Sequence, residues 1–163
     1  MNIDYNKLIY KIKDVEKIAS SNKLSRLLQK PLKYIFAIFY QELFYKIFKR
    51  SITVQVDTFF GTKMKVLLPA GTDIYITGGK SHNSETRLAK YLIKTLKTGN
   101  TFLDVGAHFG YFSLLASLLV DDEGSVISFE PSPKSYAKLK ENTILKQNTT
   151  ILNHAVSDQK EII

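Results

Sequence analysis

Asp104, Gly106, Gly110 and Glu130 stand out in this 163-residue chain for their types and spacing. Asp104 lies near the end of a short apolar run, Phe102 to Val105, that reads as a buried strand. Gly106 and Gly110 bracket a tight turn, where glycine tolerates positive φ and lets a ligand approach the backbone closely. Directly afterwards Phe112, Leu115 and Leu119 recur at helical spacing. A strand, a glycine turn and a helix start together set backbone N–H groups and a positive dipole end beside a nucleotide-like ligand. A Gly-x-x-x-Gly alone carries little weight. The second element, Ser125 to Glu130, adds to it, because it reads as a strand ending in an acid 20 residues after Gly110. Doubly wound sheets hold ribose hydroxyls at that position. A carboxylate suits the task, since both hydroxyls of a diol can donate to one acceptor group.

The elements that must position these residues follow from pattern. Ser84 to Lys97 reads as an amphipathic helix with Leu88, Tyr91, Leu92 and Leu96 inward, capped by Ser84 and ended by Gly99. After the glycine turn and its helix, Asp121 to Gly124 makes a polar turn into the second strand. Pro131 to Pro133 separates that strand from a helix over Lys134 to about Leu145, and a third strand covers Thr149 to about Val156. This βαβαβ alternation predicts a Rossmann-like, doubly wound parallel sheet of the α/β class. Upstream, Ile52–Asp57 and Lys63–Leu68 alternate as a hairpin of half-buried strands, and Asp73–Thr77 reads as a third strand of the same small cap. The expected organisation is a basic helical segment over 1–50, a β-hairpin cap over 51–80 and the sheet domain over 81–163.

Asp104-Val-Gly-Ala-His-Phe-Gly-Tyr-Phe-Ser113, Phe129-Glu-Pro-Ser-Pro133, Asn142 and Asn153-His-Ala-Val-Ser-Asp158 resemble the FkbM family in order and spacing. These are class I methyltransferases that use S-adenosylmethionine. The resemblance runs from about Glu85 to the last residue. His108 departs from it, since the family usually has Asn there. The resemblance implies a cofactor site at Asp104, Gly106, Ala107, His108, Phe109, Gly110, Glu130 and Pro131, with adenine contacts near His154 and Ala155. It names no catalytic residue in this chain. It implies O-methylation of a sugar or natural-product hydroxyl, with a small-molecule or glycan acceptor. The family's sheet has the order 3-2-1-4-5, and this sequence supplies strands 3, 2 and 1. The chain is therefore expected to be the N-terminal part of a longer enzyme or a truncated copy, a poor methyltransferase alone, and prone to self-association through an unpaired sheet edge.

Charge and composition narrow the partners. The chain has no cysteine, which excludes disulfides and thiolate metal sites, and its histidines have no companions at ligand spacing, so no metal is expected. Of the net charge of +8, residues 1–50 carry +7 and the rest +1. Nucleic acid bound by the sheet domain is not expected. From Pro31 to Arg50 the chain is richest in aromatic residues. Phe36, Tyr40, Leu43, Phe44, Ile47 and Phe48 share one helical face, with Glu42, Lys46, Lys49 and Arg50 on the other. Charges interrupt the run, so a membrane-crossing helix is not expected. Residues 31–50 are read in two ways: as a helix packing on the sheet domain, or as an in-plane helix on anionic membrane. A cytoplasmic protein, peripheral to the membrane in the second case, follows. Two other classes are consistent with the pattern. One is a nicotinamide-dependent oxidoreductase, although its compact Gly-x-Gly-x-x-Gly is missing; the other is a non-catalytic membrane module.

Overall fold

In the computed structural model, which describes residues 3–158, the chain divides into two units at Lys90–Tyr91. The first is helical around a β-hairpin. Helix α1 (Tyr5–Ser20) starts where the Asp4 carboxylate accepts the Lys7 N–H, and it buries Leu8, Ile12, Val15 and Ile18. The side chain of Asn22 caps α2 (Lys23–Gln29). Pro31 opens α3 (Pro31–Phe39), as expected of proline in a first turn. A π-helical stretch, Tyr40–Tyr45, continues α3 into the short α4 (Lys46–Phe48), which stops at Lys49 in the left-handed conformation. Strands β1 (Ile52–Asp57) and β2 (Lys63–Leu68) pair antiparallel, Ile52 opposite Leu68 and Asp57 opposite Lys63.

Asp73–Thr77 is not a third strand. It lies in helix α5 (Thr72–Thr77). Ile74 and Ile76, whose alternation suggested a strand, are both buried in this short helix. Local chemistry outweighs the β-branched composition: the Thr72 hydroxyl donates to the Pro69 carbonyl, and Gly78 closes the helix at φ +79°. Helix α6 (Asn83–Thr95) forms as expected but in a different rotational setting. Thr86, Ala89, Leu92 and Ile93 are buried, while Leu88 and Tyr91 are exposed. Both stripes fit a period of 3.6, and the helix buries the one containing the small Ala89, which permits closer packing.

The second unit holds the parallel sheet. Strands β3 (Thr101–Val105), β4 (Ser125–Phe129) and β5 (Thr149–Leu152) lie side by side in that order. Helix α7 (Tyr111–Val120) connects the first two and α8 (Pro133–Thr143) the second pair. The doubly wound α/β expectation holds, with the chain's first, second and third parallel strands in spatial sequence. Helix α7 supplies most of the core: Ala116 and Val120 pack with Val126, and Leu96 and Phe102 close against them. Strand β5 ends at Leu152, four residues before the expected Val156. The Asn153 side chain turns the backbone away by donating to the Glu130 and Pro131 carbonyls. Among the described residues β3 pairs on one side only, and its outward side chains Leu103 and Val105 are 58% and 62% exposed.

Candidate cofactor site

Strand register builds the site. Val105 lies opposite Phe129, and Phe129 opposite Leu152, so the three strands finish level. The segments leaving them share one rim, the carboxyl end of the sheet, where ligands of open α/β folds bind. Residues 106–110 form a turn fastened to that rim. The N–H groups of Gly106 and Ala107 both donate to the Phe129 carbonyl at 2.9 Å, and Gly110 donates to Ala107 at 2.7 Å. The His108 N–H donates to Glu130 Oε2 at 2.7 Å. The Asn142 side chain, from α8, donates to the Phe109 carbonyl at 2.8 Å. Most of these amides therefore hold the loop itself in shape.

The loop requires left-handed backbone at three positions: Gly106 (φ +79°), His108 (φ +52°) and Gly110 (φ +85°). The two glycines serve different ends. A Cβ on Gly110 would come within 2.7 Å of Leu139 Cδ1, so this glycine lets α8 pack against the turn. A Cβ on Gly106 would meet nothing within 4 Å, so its bare face looks into open space at the rim. His108 occupies a conformation in which Asn, Asp and His are the enriched non-glycine residues. The interchange of Asn and His at this place thus has a backbone reason as well as a side-chain one.

Glu130 is 6% exposed. Its second carboxylate oxygen accepts the Ser132 N–H at 2.9 Å, so one side chain ties the end of β4 to both neighbouring turns. An ionised carboxylate accepts about four hydrogen bonds, and these two leave acceptor capacity. Asp104 is buried one layer deeper. Its Oδ2 accepts from the Ser113 hydroxyl at 2.5 Å, and Ser113 accepts from Ser128 at 2.9 Å. Burial pushes the Asp104 carboxyl above the ordinary range; the Ser113 hydroxyl and backbone pull it back down, and the Glu130 charge adds to the rise.

The expected site residues therefore gather, with distinct duties. Gly106, Ala107, His108, Gly110, Glu130 and Pro131 meet at the rim. Phe109 turns its ring into the core and contributes a carbonyl. Asp104 sits below the loop, next to α7. His154 and Ala155 follow β5 and are exposed, held near the rim by Asn153. Sequence reasoning assigned no role to Ser113, Ser128, Asn142 or Asn153. The signal was present: Ser113 and Ser128 are polar residues at buried positions of an apolar helix and strand.

The sequence from 104 to 163 matches the model described as the methyltransferase FkbM domain. The match covers 60 of the 163 residues. The FkbM match begins at Asp104, at the end of β3, and takes in the loop, Glu130 and the Asn153 turn. No curated protein matches the sequence. Among solved structures, the P. horikoshii TYW2 protein in complex with MeSAdo aligns at 19% identity and a TM-score of 0.44, over 58% of this chain and 33% of its own. A SAM-dependent O-methyltransferase from Thermotoga maritima aligns at 19% identity and a TM-score of 0.42, over 72% of this chain and 47% of its own. This chain spans less than half the length of either.

Proposed function

We propose that the FkbM domain binds S-adenosylmethionine at the 106–110 turn and belongs to an enzyme that methylates hydroxyl groups of sugars or related natural products. The observation that carries the reading is the pairing of an open approach at Gly106 with a buried carboxylate, Glu130, clamped under the same loop. The residues present fit the cofactor: a bare glycine face admits a bulky ligand against backbone, and Glu130 keeps acceptor capacity for a ribose diol.

The cofactor supplies a methyl group already activated on a sulfonium, so the protein's contribution is alignment. Gly106 gives room at the rim. Glu130 fixes the loop through His108 and orients toward the rim any hydroxyl donors that reach it. Asp104, through Ser113 and Ser128, fastens β3, β4 and α7 beneath the turn. His154 and Ala155 are positioned by Asn153 for the adenine side. The acceptor, whether small molecule or glycan, approaches from outside these elements.

Calorimetric titration of the 163-residue chain tests the cofactor assignment. S-adenosylmethionine is expected to bind, NAD to give no heat, and Glu130→Ala to weaken binding by about 1–3 kcal/mol, the scale for bonds to a charged acceptor. Equal affinity of Glu130→Ala and the parent would remove Glu130 from the site. Transfer of labelled methyl to sugar hydroxyls tests the acceptor class.

A further inference from the structure

Helices α3 and α4 are apolar on more sides than the first unit covers. Ala37 and Tyr40 are buried, and Ala37 packs with Ile18 and Ile76. This one stripe seats the helix. Leu32, Ile35, Phe39, Leu43 and Ile47, spaced three or four apart, stay outside it, with Leu32 83% and Phe39 52% exposed. Phe36, Phe44 and Phe48 are also exposed and stack along the same stretch with Tyr40. On α2, which precedes α3 directly, Leu24 and Leu28 stand one turn apart and are exposed. An apolar helix face left open calls for cover, and a contiguous apolar patch of this kind marks an interaction surface.

The charge pattern selects what covers it. Between residues 22 and 50 there are five lysines and two arginines against a single acid, Glu42, which pairs with Lys46. Lys23, Lys30, Lys46, Lys49 and Arg50 are exposed beside the apolar residues. Protein–protein interfaces are depleted in lysine. A bilayer with anionic headgroups accommodates both parts, apolar side chains at the acyl boundary and lysines at the phosphates. No helix among the described residues is long and apolar enough to cross a membrane. We propose that α3, the π stretch and α4 lie in the plane of an anionic lipid surface, with Leu32, Ile35, Phe39, Leu43 and Ile47 entering it.

The chain contains no tryptophan, so Phe39→Trp installs a single tryptophan on the proposed face, which can be excited apart from the tyrosines. With vesicles of phosphatidylserine and phosphatidylcholine at low salt, its emission is expected to shift to the blue and to be quenched by brominated lipid. The unaltered chain is expected to co-sediment with these vesicles and to be released by salt. Replacing Ile35, Phe39 and Leu43 by Ser should lower sedimentation at least tenfold with an unchanged circular dichroism spectrum. Neutralising Lys23, Lys30 and Lys46 to Gln should cost about fivefold per lysine and flatten the salt dependence. An unshifted Phe39→Trp spectrum with anionic vesicles would overturn the proposal, as would equal binding to phosphatidylcholine alone. A dimer in light scattering that the Ser variant dissolves, with no lipid binding by the parent, would make the face a protein contact and overturn it equally.

Discussion

The Glu130 carboxylate accepts the backbone N–H of His108 at 2.7 Å, across 22 residues of sequence. It joins the tip of one strand to the middle of the turn leaving its neighbour, so the acid shapes the loop before any ligand arrives. Glu130→Ala strips an acceptor from two amides, those of His108 and Ser132. A stability loss of about 2 kcal/mol or more is expected from urea melts. Glu130→Gln, which keeps one acceptor oxygen, should recover part of it.

His108 stands at φ +52°. His108→Asn should be neutral within about 0.5 kcal/mol, because Asn takes the left-handed region as readily. His108→Val should cost about 1–2 kcal/mol, since a β-branched side chain is opposed there. Equal melts for the two variants would remove backbone conformation as the reason for a histidine here.

The two turn glycines should separate stability from binding. Gly110→Ala adds a methyl group 2.7 Å from Leu139 Cδ1 on top of an unfavourable φ. The expected loss is about 2–4 kcal/mol, mainly in thermal stability. Gly106→Ala meets open space and carries only the conformational cost, about 1–2 kcal/mol. Its larger effect should appear in titration with S-adenosylmethionine, where the added methyl group occupies the approach face.

Asp104 gives a pH dependence of defined sign. Burial raises its carboxyl above the ordinary 3.8, so the folded form holds the proton to higher pH than the unfolded form. Its contribution to stability is then complete below the unfolded value and lost as pH rises through the folded one. Asp104→Asn cannot ionise. The stability of the parent relative to Asp104→Asn should fall as pH rises above the ordinary 3.8 and level off once the folded carboxyl has ionised. Urea melts across that rise in pH check it, and a difference rising with pH would mark Asp104 as a stabilised anion instead.

Much of the sheet domain was legible because its signals are local and redundant. Phe102–Val105 and Ser125–Phe129 are short apolar runs bounded by glycine or an acid, and the pattern places Gly106, Gly110 and Glu130 at strand tips. The duties within the site were less legible. A hydroxyl relay such as Ser128–Ser113–Asp104 depends on register across two strands and a helix, which no single stretch displays. Asp73–Thr77 misled because five residues hold too little periodicity to separate a short helix from a short strand. In α6 the periodicity was sound, but two stripes satisfied it, and the neighbouring surface decided between Leu88 and Ala89.

The π stretch from Tyr40 to Tyr45 carries a consequence for how this protein can change by insertion and deletion. Such a stretch holds about one residue more than regular helical winding needs. The Tyr40 hydroxyl, which donates to the Arg50 carbonyl, spans it and fixes where the downstream turn ends. Losing one residue between 41 and 44 would let the stretch rewind as regular α-helix while the turns on either side keep their facing, whereas the same loss in a regular helix turns everything after it by about 100°, one residue's step at 3.6 residues per turn. Ile47 and Phe48 would keep the face they now occupy, and β1 would be entered from the same direction. A single-codon deletion, which would rewrite a whole surface in a regular helix, is here absorbed by the stretch itself.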